Sequence, residues 1–139
     1  MTAQVVTITE LDGDVKEFNG IQKIKWVWVS DSVTGAIVAS ATAGENPTTT
    51  KKYSGECLRL VTIPAAAAAA PTDNYDVTIL DEDGYDVLGG GGMDRDTANT
   101  EQKAAANLGA CLYTTLSLRV ANCGTSKGGT VLLYLAGRA

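Results

Sequence analysis

The segment from Asn74 to Leu88 constrains this chain more than any other: it reads Asn-Tyr-Asp-Val-Thr-Ile-Leu-Asp-Glu-Asp-Gly-Tyr-Asp-Val-Leu, two strand-like runs around an acidic turn. Tyr75, Val77 and Ile79 alternate with Asp76, Thr78 and Leu80, the period of two that a half-buried strand requires. Asp83-Gly84 supplies the positive φ angles of a tight reversal, so the tract predicts a β-hairpin whose second strand runs over Tyr85 to Leu88.

Similar runs recur along the chain. Strands are expected over Gln4 to Thr9, Ile21 to Ser30, Ala36 to Thr42, Cys57 to Ile63, Tyr75 to Leu80, Tyr85 to Leu88, Leu112 to Ala121 and Thr130 to Ala136. Asp12-Gly13, Asn19-Gly20, Thr34-Gly35, Asp83-Gly84 and Lys127-Gly128-Gly129 punctuate them with turn residues. About eight short strands with long loops predict an all-β protein, an antiparallel jelly-roll-like β-sandwich in a single domain over residues 1–139. Within the second run, Ile24, Trp26 and Trp28 share one face, read as core. Lys23, Lys25, Val27 and Val29 share the other, a mixed face suited to contact with another subunit. Leu112, Leu116, Leu118 and Val120 mark a central core strand against Tyr113, Thr115, Ser117 and Arg119. Val131, Leu133 and Leu135 repeat the pattern, and the last two runs are expected to form a hairpin closed near Lys127.

Three segments lack strand character. Ala65 to Ala70, between Pro64 and Pro71, is too short for an isolated helix, which needs about 12 residues or more, and reads as a spacer or one docked turn. Gly44 to Lys52 is polar, with a proline, and reads as an exposed loop. Met93 to Leu108 has the helix propensity for one short helix on a long loop.

Composition excludes several function classes. The 139 residues hold 11 basic and 16 acidic side chains, a net charge of -5, which argues against a phosphate-backbone binder; nucleic acid is not an expected partner. There is no histidine, so no Ser-His-Asp triad, Cys-His pair or His-ligated metal is available. Asp81, Glu82, Asp83 and Asp86 cluster in sequence but read as a solvated turn. A calcium loop placing Asp81 and Asp83 before Gly84 would put Ile79 and Gly90 at positions that need side-chain oxygens. Gly89 to Gly92 is followed by Met93-Asp94-Arg95-Asp96 rather than by the Gly-Lys-Ser/Thr of a phosphate loop, and reads as a mobile loop. Cys57, Cys111 and Cys123 are odd in number and widely spaced; three reduced, partly buried thiols are expected, with a Cys111 to Cys123 pairing as the alternative. No run approaches the ~20 apolar residues of a membrane span, and Met1 to Gln4 lacks signal-peptide character, so synthesis in the cytoplasm and no membrane partner are expected. No cofactor, catalytic residue or metal ligand is assigned, and no enzymatic activity is expected.

Two tracts carry a resemblance. Asp76 to Gly90, continuing into Arg95-Asp96-Thr97-Ala98-Asn99-Thr100-Glu101-Gln102, and the ending Gly128 to Leu135 resemble small structural proteins of tailed-bacteriophage heads. Over most of its length the chain is similar to the jelly-roll cementing (decoration) proteins of short-tailed phages. The resemblance implies a structural virion protein on the outer surface of an icosahedral capsid, bridging neighbouring copies of the major capsid protein, often as a homodimer, and stabilising the shell.

Exposed loops and an edge strand are the usual means of attaching such a module to another chain. The candidate capsid or dimer contacts are therefore Gln4, Val5 and Val6 in the N-terminal strand; Pro47, Thr48, Thr49, Lys51 and Lys52 in the polar loop; and Gly89, Gly90, Gly91, Gly92 and Arg95 in the glycine loop. A carbohydrate- or receptor-binding jelly roll on the virion is the alternative; it requires exposed aromatics from among Trp26, Trp28, Tyr53 and Tyr85. A glycosidase would need two facing acids about 5 to 9.5 Å apart, and no spacing in the sequence supports it.

Overall fold

The computed structural model describes residues 2–11 and 20–136; the Asp12-Gly13 turn and Asn19 lie outside them. The described strands are β1 (Val5–Leu11), β2 (Ile21–Val29), β3 (Tyr53–Pro64), β4 (Asp76–Leu80), β5 (Glu101–Ala104), β6 (Ala110–Thr114), β7 (Ser117–Ala121) and β8 (Gly128–Ala136). Every ladder between them is antiparallel. A six-stranded sheet runs β1-β2-β8-β3-β5, with β6 also paired to β3, and β4 and β7 form a second, two-stranded sheet. The fold is an all-β antiparallel sandwich, as the alternation predicts.

The core sits between the two sheets. Ile24, Trp26 and Trp28 from β2, Leu60 from β3 and Val131, Leu133 and Leu135 from β8 meet Val77 and Ile79 from β4 and Leu118 and Val120 from β7 in one cluster. The Trp26 indole N–H donates to the Pro47 carbonyl at 2.8 Å, so this large side chain is buried with its polar atom satisfied. β3 is the longest strand and shifts register twice, between Tyr53 and Gly55 and between Cys57 and Arg59. Such bulges bend a strand: the first part of β3 pairs with β6 while the rest pairs with β8 and β5.

Local chemistry overrides several sequence expectations. Tyr85 to Leu88 is not a strand. It touches β4 through one bridge, Leu80 to Asp86, and β4 takes β7 as its ladder partner. The Asp86 carboxylate accepts backbone N–H bonds from Ile79, Leu88 and Gly90, which winds the chain into turns. In the acidic reversal only Gly84 has positive φ, not Asp83. Ala36 to Thr42 is likewise reduced to a bridge between Ile37 and Val120, because the Gln4 amide takes both the N–H and the carbonyl of Val38.

The expected strand from Leu112 to Ala121 divides into β6 and β7, which belong to different sheets. Tyr113, at φ 43°, breaks the alternation, so Leu112 points to solvent while Leu116, Leu118 and Val120 are buried. β7 and β8 do not form a hairpin; β8 inserts between β2 and β3 instead. The short helix expected within Met93 to Leu108 is replaced by β5 and a single 3-10 turn over Ala105–Asn107. A marginal helix of that length loses to backbone pairing offered by the edge of β3. In the alanine run, read as a spacer or one docked turn, Ala67–Ala69 forms a single 3-10 turn that is exposed, with no residue buried.

Candidate binding surfaces

The N-terminal strand lies at the edge of the large sheet, as a grafting element should. Val5 is exposed on it, but Gln4 and Val6 are buried. Besides Val38, the Gln4 amide donates to the Glu45 carbonyl at 2.8 Å, and the Val6 N–H donates to the Gly44 carbonyl at 2.8 Å. Gln4 and Val6 therefore fasten the loop that follows β2 to the edge, and of this trio Val5 alone is displayed.

The loop over residues 47–52 is half structural. Pro47 and Thr49 are buried, a correction to the exposed loop expected there, because the Pro47 carbonyl accepts from the Trp26 indole and from the Leu118 N–H. Thr49 exchanges bonds with Leu116 through both its N–H and its hydroxyl, and Thr48 bridges to Ser117. Lys51 and Lys52 are exposed. Glu10 on β1 ties the loop down, accepting from the Thr50 N–H and hydroxyl, the Lys51 N–H and the Tyr53 hydroxyl. Partial burial works to raise the Glu10 pKa, but these hydrogen bonds outweigh it and hold the carboxyl below its ordinary range.

The glycine tract is packed, not merely mobile. Gly92 is buried and its carbonyl accepts from the Val77 N–H at 2.8 Å; a Cβ there would lie 2.2 Å from the Val77 carbonyl. A Cβ at Gly91 would meet the Asn107 carbonyl at 2.7 Å. Gly89 and Gly90, both at positive φ, are exposed. Arg95 is only 5% exposed: its guanidinium lies 3.6 Å from Glu101 and donates to the Met93 carbonyl, so it braces the loop and offers little surface to a partner. Glu10 brings β1 and the polar loop together; the glycine tract packs against Val77 and the Asn107 to Gly109 segment instead.

Two of the clustered acids serve the backbone around them. Asp81 accepts from the Asp83 and Tyr85 N–H groups at 2.9 Å, Asp86 caps three amides, and Glu82 pairs with Lys52 at 3.3 Å. Among the described residues no group of three metal-type ligands is brought together. Of the four aromatics required for sugar stacking, Trp26, Trp28 and Tyr53 are buried and Tyr85, 74% exposed, is displayed. All three cysteines are free. Burial pushes the Cys57 thiol up to about 12 and the Cys111 thiol up to about 11, and raises that of Cys123, so none is a ready nucleophile.

Two displayed surfaces stand out among the described residues. One is a tip formed by Leu112 and Tyr113, 84% and 71% exposed, with the Lys52 ammonium 4.7 Å from the Tyr113 ring centre. Period-two reading assigned Leu112 to the core, and no sequence signal marked the tip. The other is the outer face of the large sheet. The ladders set Val5 beside Val29, Val27 beside Thr130, Lys25 beside Leu132, and Lys23 beside Tyr134, which in turn lies beside Arg59. Lys23 and Arg59 both lie over the Tyr134 ring, at 5.4 and 5.6 Å from its centre. The mixed face read from β2 alone thus extends across four strands.

No protein-family model, curated protein or solved structure matches this chain.

Proposed function

We propose that this chain is a capsid cementing protein: a jelly-roll module that binds the outer surface of an icosahedral phage shell, bridges neighbouring major capsid proteins and stabilises the particle without catalysis. The observation that carries the reading is a rigid sandwich that leaves the outer face of its large sheet, set with Val5, Val27 and Val29, open to solvent, in a chain whose tracts resemble phage-head proteins. Exposed apolar area of this kind marks interaction surfaces. Of the turn acids, Asp81 and Asp86 are used by neighbouring backbone amides and Glu82 by Lys52.

The jelly-roll part draws support from two single bridges. Counted as strands, Ile37 beside β7 and Asp86 beside β4 give the order Ile37-β7-β4-Asp86 in one sheet, opposite β2-β8-β3-β5 in the other. From β2 to β8, with β6 left aside, consecutive segments then cross between the sheets except from β4 to the Asp86 segment, an order compatible with a double Greek key.

A protein that binds only the assembled shell stabilises it by mass action, by about 2.7 kcal/mol per site at a free concentration one hundred times Kd, and many sites multiply the effect. The test is co-sedimentation of the purified protein with phage heads that lack it, with free capsid subunits as control. Saturable binding to heads alone, and a higher melting temperature for decorated heads, is the expected result; absence of binding to heads would discard the reading. Sedimentation velocity of the free protein tests the homodimer that the reading includes.

A further inference from the structure

We infer that the outer face of the six-stranded sheet is the docking surface and that its partner is an acidic protein surface with an apolar centre; this rests on the cementing reading and specifies its contact. Among the described residues, the rows from Val5 and Val29 to Leu11, Lys23, Tyr134 and Arg59 hold three cations and no carboxylate; the exposed Glu56 lies beyond them, where β3 pairs with β6. The whole chain has a net charge of -5, so the face opposes the sign of the molecule that carries it. Asp81, Glu82, Asp83 and Asp86 lie instead in the turn beside the short sheet.

Charge complementarity selects the occupant. A second copy docked on this face about a two-fold axis would set Lys23, Lys25 and Arg59 against their own equivalents, because an isologous interface pairs a patch with itself. Like charges brought together oppose association, whereas carboxylates on a partner speed encounter and fix register. Val27 and Val29 supply apolar contact, and Tyr134 holds the Lys23 and Arg59 heads over its ring, limiting the freedom lost on binding. A nucleic acid or lipid headgroup surface would also attract cations, but the exposed Val5, Val27 and Val29 among those cations match the apolar centre and polar surround of a protein interface.

The experiment compares the wild-type chain with the triple variant Lys23→Glu, Lys25→Glu, Arg59→Glu and with Lys103→Glu, a cation whose ladder partner Leu60 faces the core rather than the outer face, each first checked for an unchanged melting profile. If the triple variant unfolds, the corresponding glutamine variant replaces it. Binding is measured to undecorated phage heads and, separately, to immobilised poly-L-glutamate, at low and at physiological salt. The triple variant is expected to lose about tenfold or more in affinity for heads while Lys103→Glu binds as wild type does, and wild-type binding should weaken with salt. Equal binding of wild type and triple variant to heads would overturn the inference and leave the cementing reading intact. If the wild type ignores heads, the cementing reading falls and the poly-L-glutamate arm decides: retention lost only in the triple variant supports an acidic partner, and equal behaviour overturns it. Loss of self-association in the triple variant, or a preference for duplex DNA or phosphatidylserine vesicles over poly-L-glutamate, would also overturn it.

Discussion

Gly55 shows how one residue directs a strand. Its φ is +146°, and a Cβ placed there would lie 1.9 Å from the Ala136 carbonyl, a backbone atom that cannot swing aside. Gly84 is also at positive φ, +86°, yet a Cβ there would meet nothing within 4 Å. Gly84→Ala should therefore cost about 1 kcal/mol, the strain of a left-handed alanine. Gly55→Ala should cost about 3 kcal/mol or more, because it adds a collision at a bulge. Urea denaturation of the two variants measures the difference, and equal costs would contradict the close approach of β3 and β8. Glu10 makes a second case. Its carboxylate faces four donors, so Glu10→Gln turns one acceptor into a donor aimed at other donors; a loss of about 1–2 kcal/mol at neutral pH is expected after discounting for solvent screening. Because the folded pKa lies below the ordinary 4.5, the contribution is complete above that value and disappears as pH falls through the folded pKa. The gap in melting temperature between wild type and variant should thus be open at pH 7 and closed in strong acid; a gap independent of pH would show that the charge is not what holds the loop.

Between β6 and β7 the chain passes from one sheet to the other, and the crossing explains why similar leucines have unlike roles. Leu118 is fully buried between the sheets, so Leu118→Ala should cost about 3 kcal/mol. Leu112, 84% exposed, should tolerate alanine within about 0.5 kcal/mol. Thermal melts of the pair distinguish this from one continuous core strand, in which both substitutions would be costly. The comparison also shows what the sequence made legible. Period-two alternation identified the inward residues of β2, the buried half of β7 and those of β8, because burial of a pleated face depends only on local order. It did not identify neighbours: the insertion of β8 between β2 and β3 joins residues far apart in the chain, and alternation carries no information about partners. Where strands ended early, side chains had taken the backbone groups, Gln4 at Val38 and Asp86 at three amides. The candidate surface was legible in the same measure. Lys23, Lys25, Val27 and Val29 could be read from one strand, whereas Arg59 and Tyr134 join them only through pairing.

At the scale of the whole molecule, neither sheet supplies a core by itself. The short sheet has only two laddered strands, and such a pair is at best marginal in water without a partner surface. Val77 and Ile79 of β4 and Leu118 and Val120 of β7 are buried only because Trp26, Trp28 and the inward leucines of β8 cover them. Conversely, removing the short sheet would bare the two tryptophans. The layers should therefore unfold together. Urea unfolding followed by tryptophan fluorescence, which reports on β2, and by far-ultraviolet circular dichroism should give coincident transitions. Native-state hydrogen exchange offers the sharper test: ladder amides of β4 and β7 should open with the same free energy as those of β8, near the global value. Earlier exchange in β4 and β7 would mean that the short sheet detaches as a separate unit. Cooperative opening would instead mean that binding at the outer face of the large sheet stabilises the entire sandwich, since ligand binding to the folded state raises the free energy of every opening that abolishes the site.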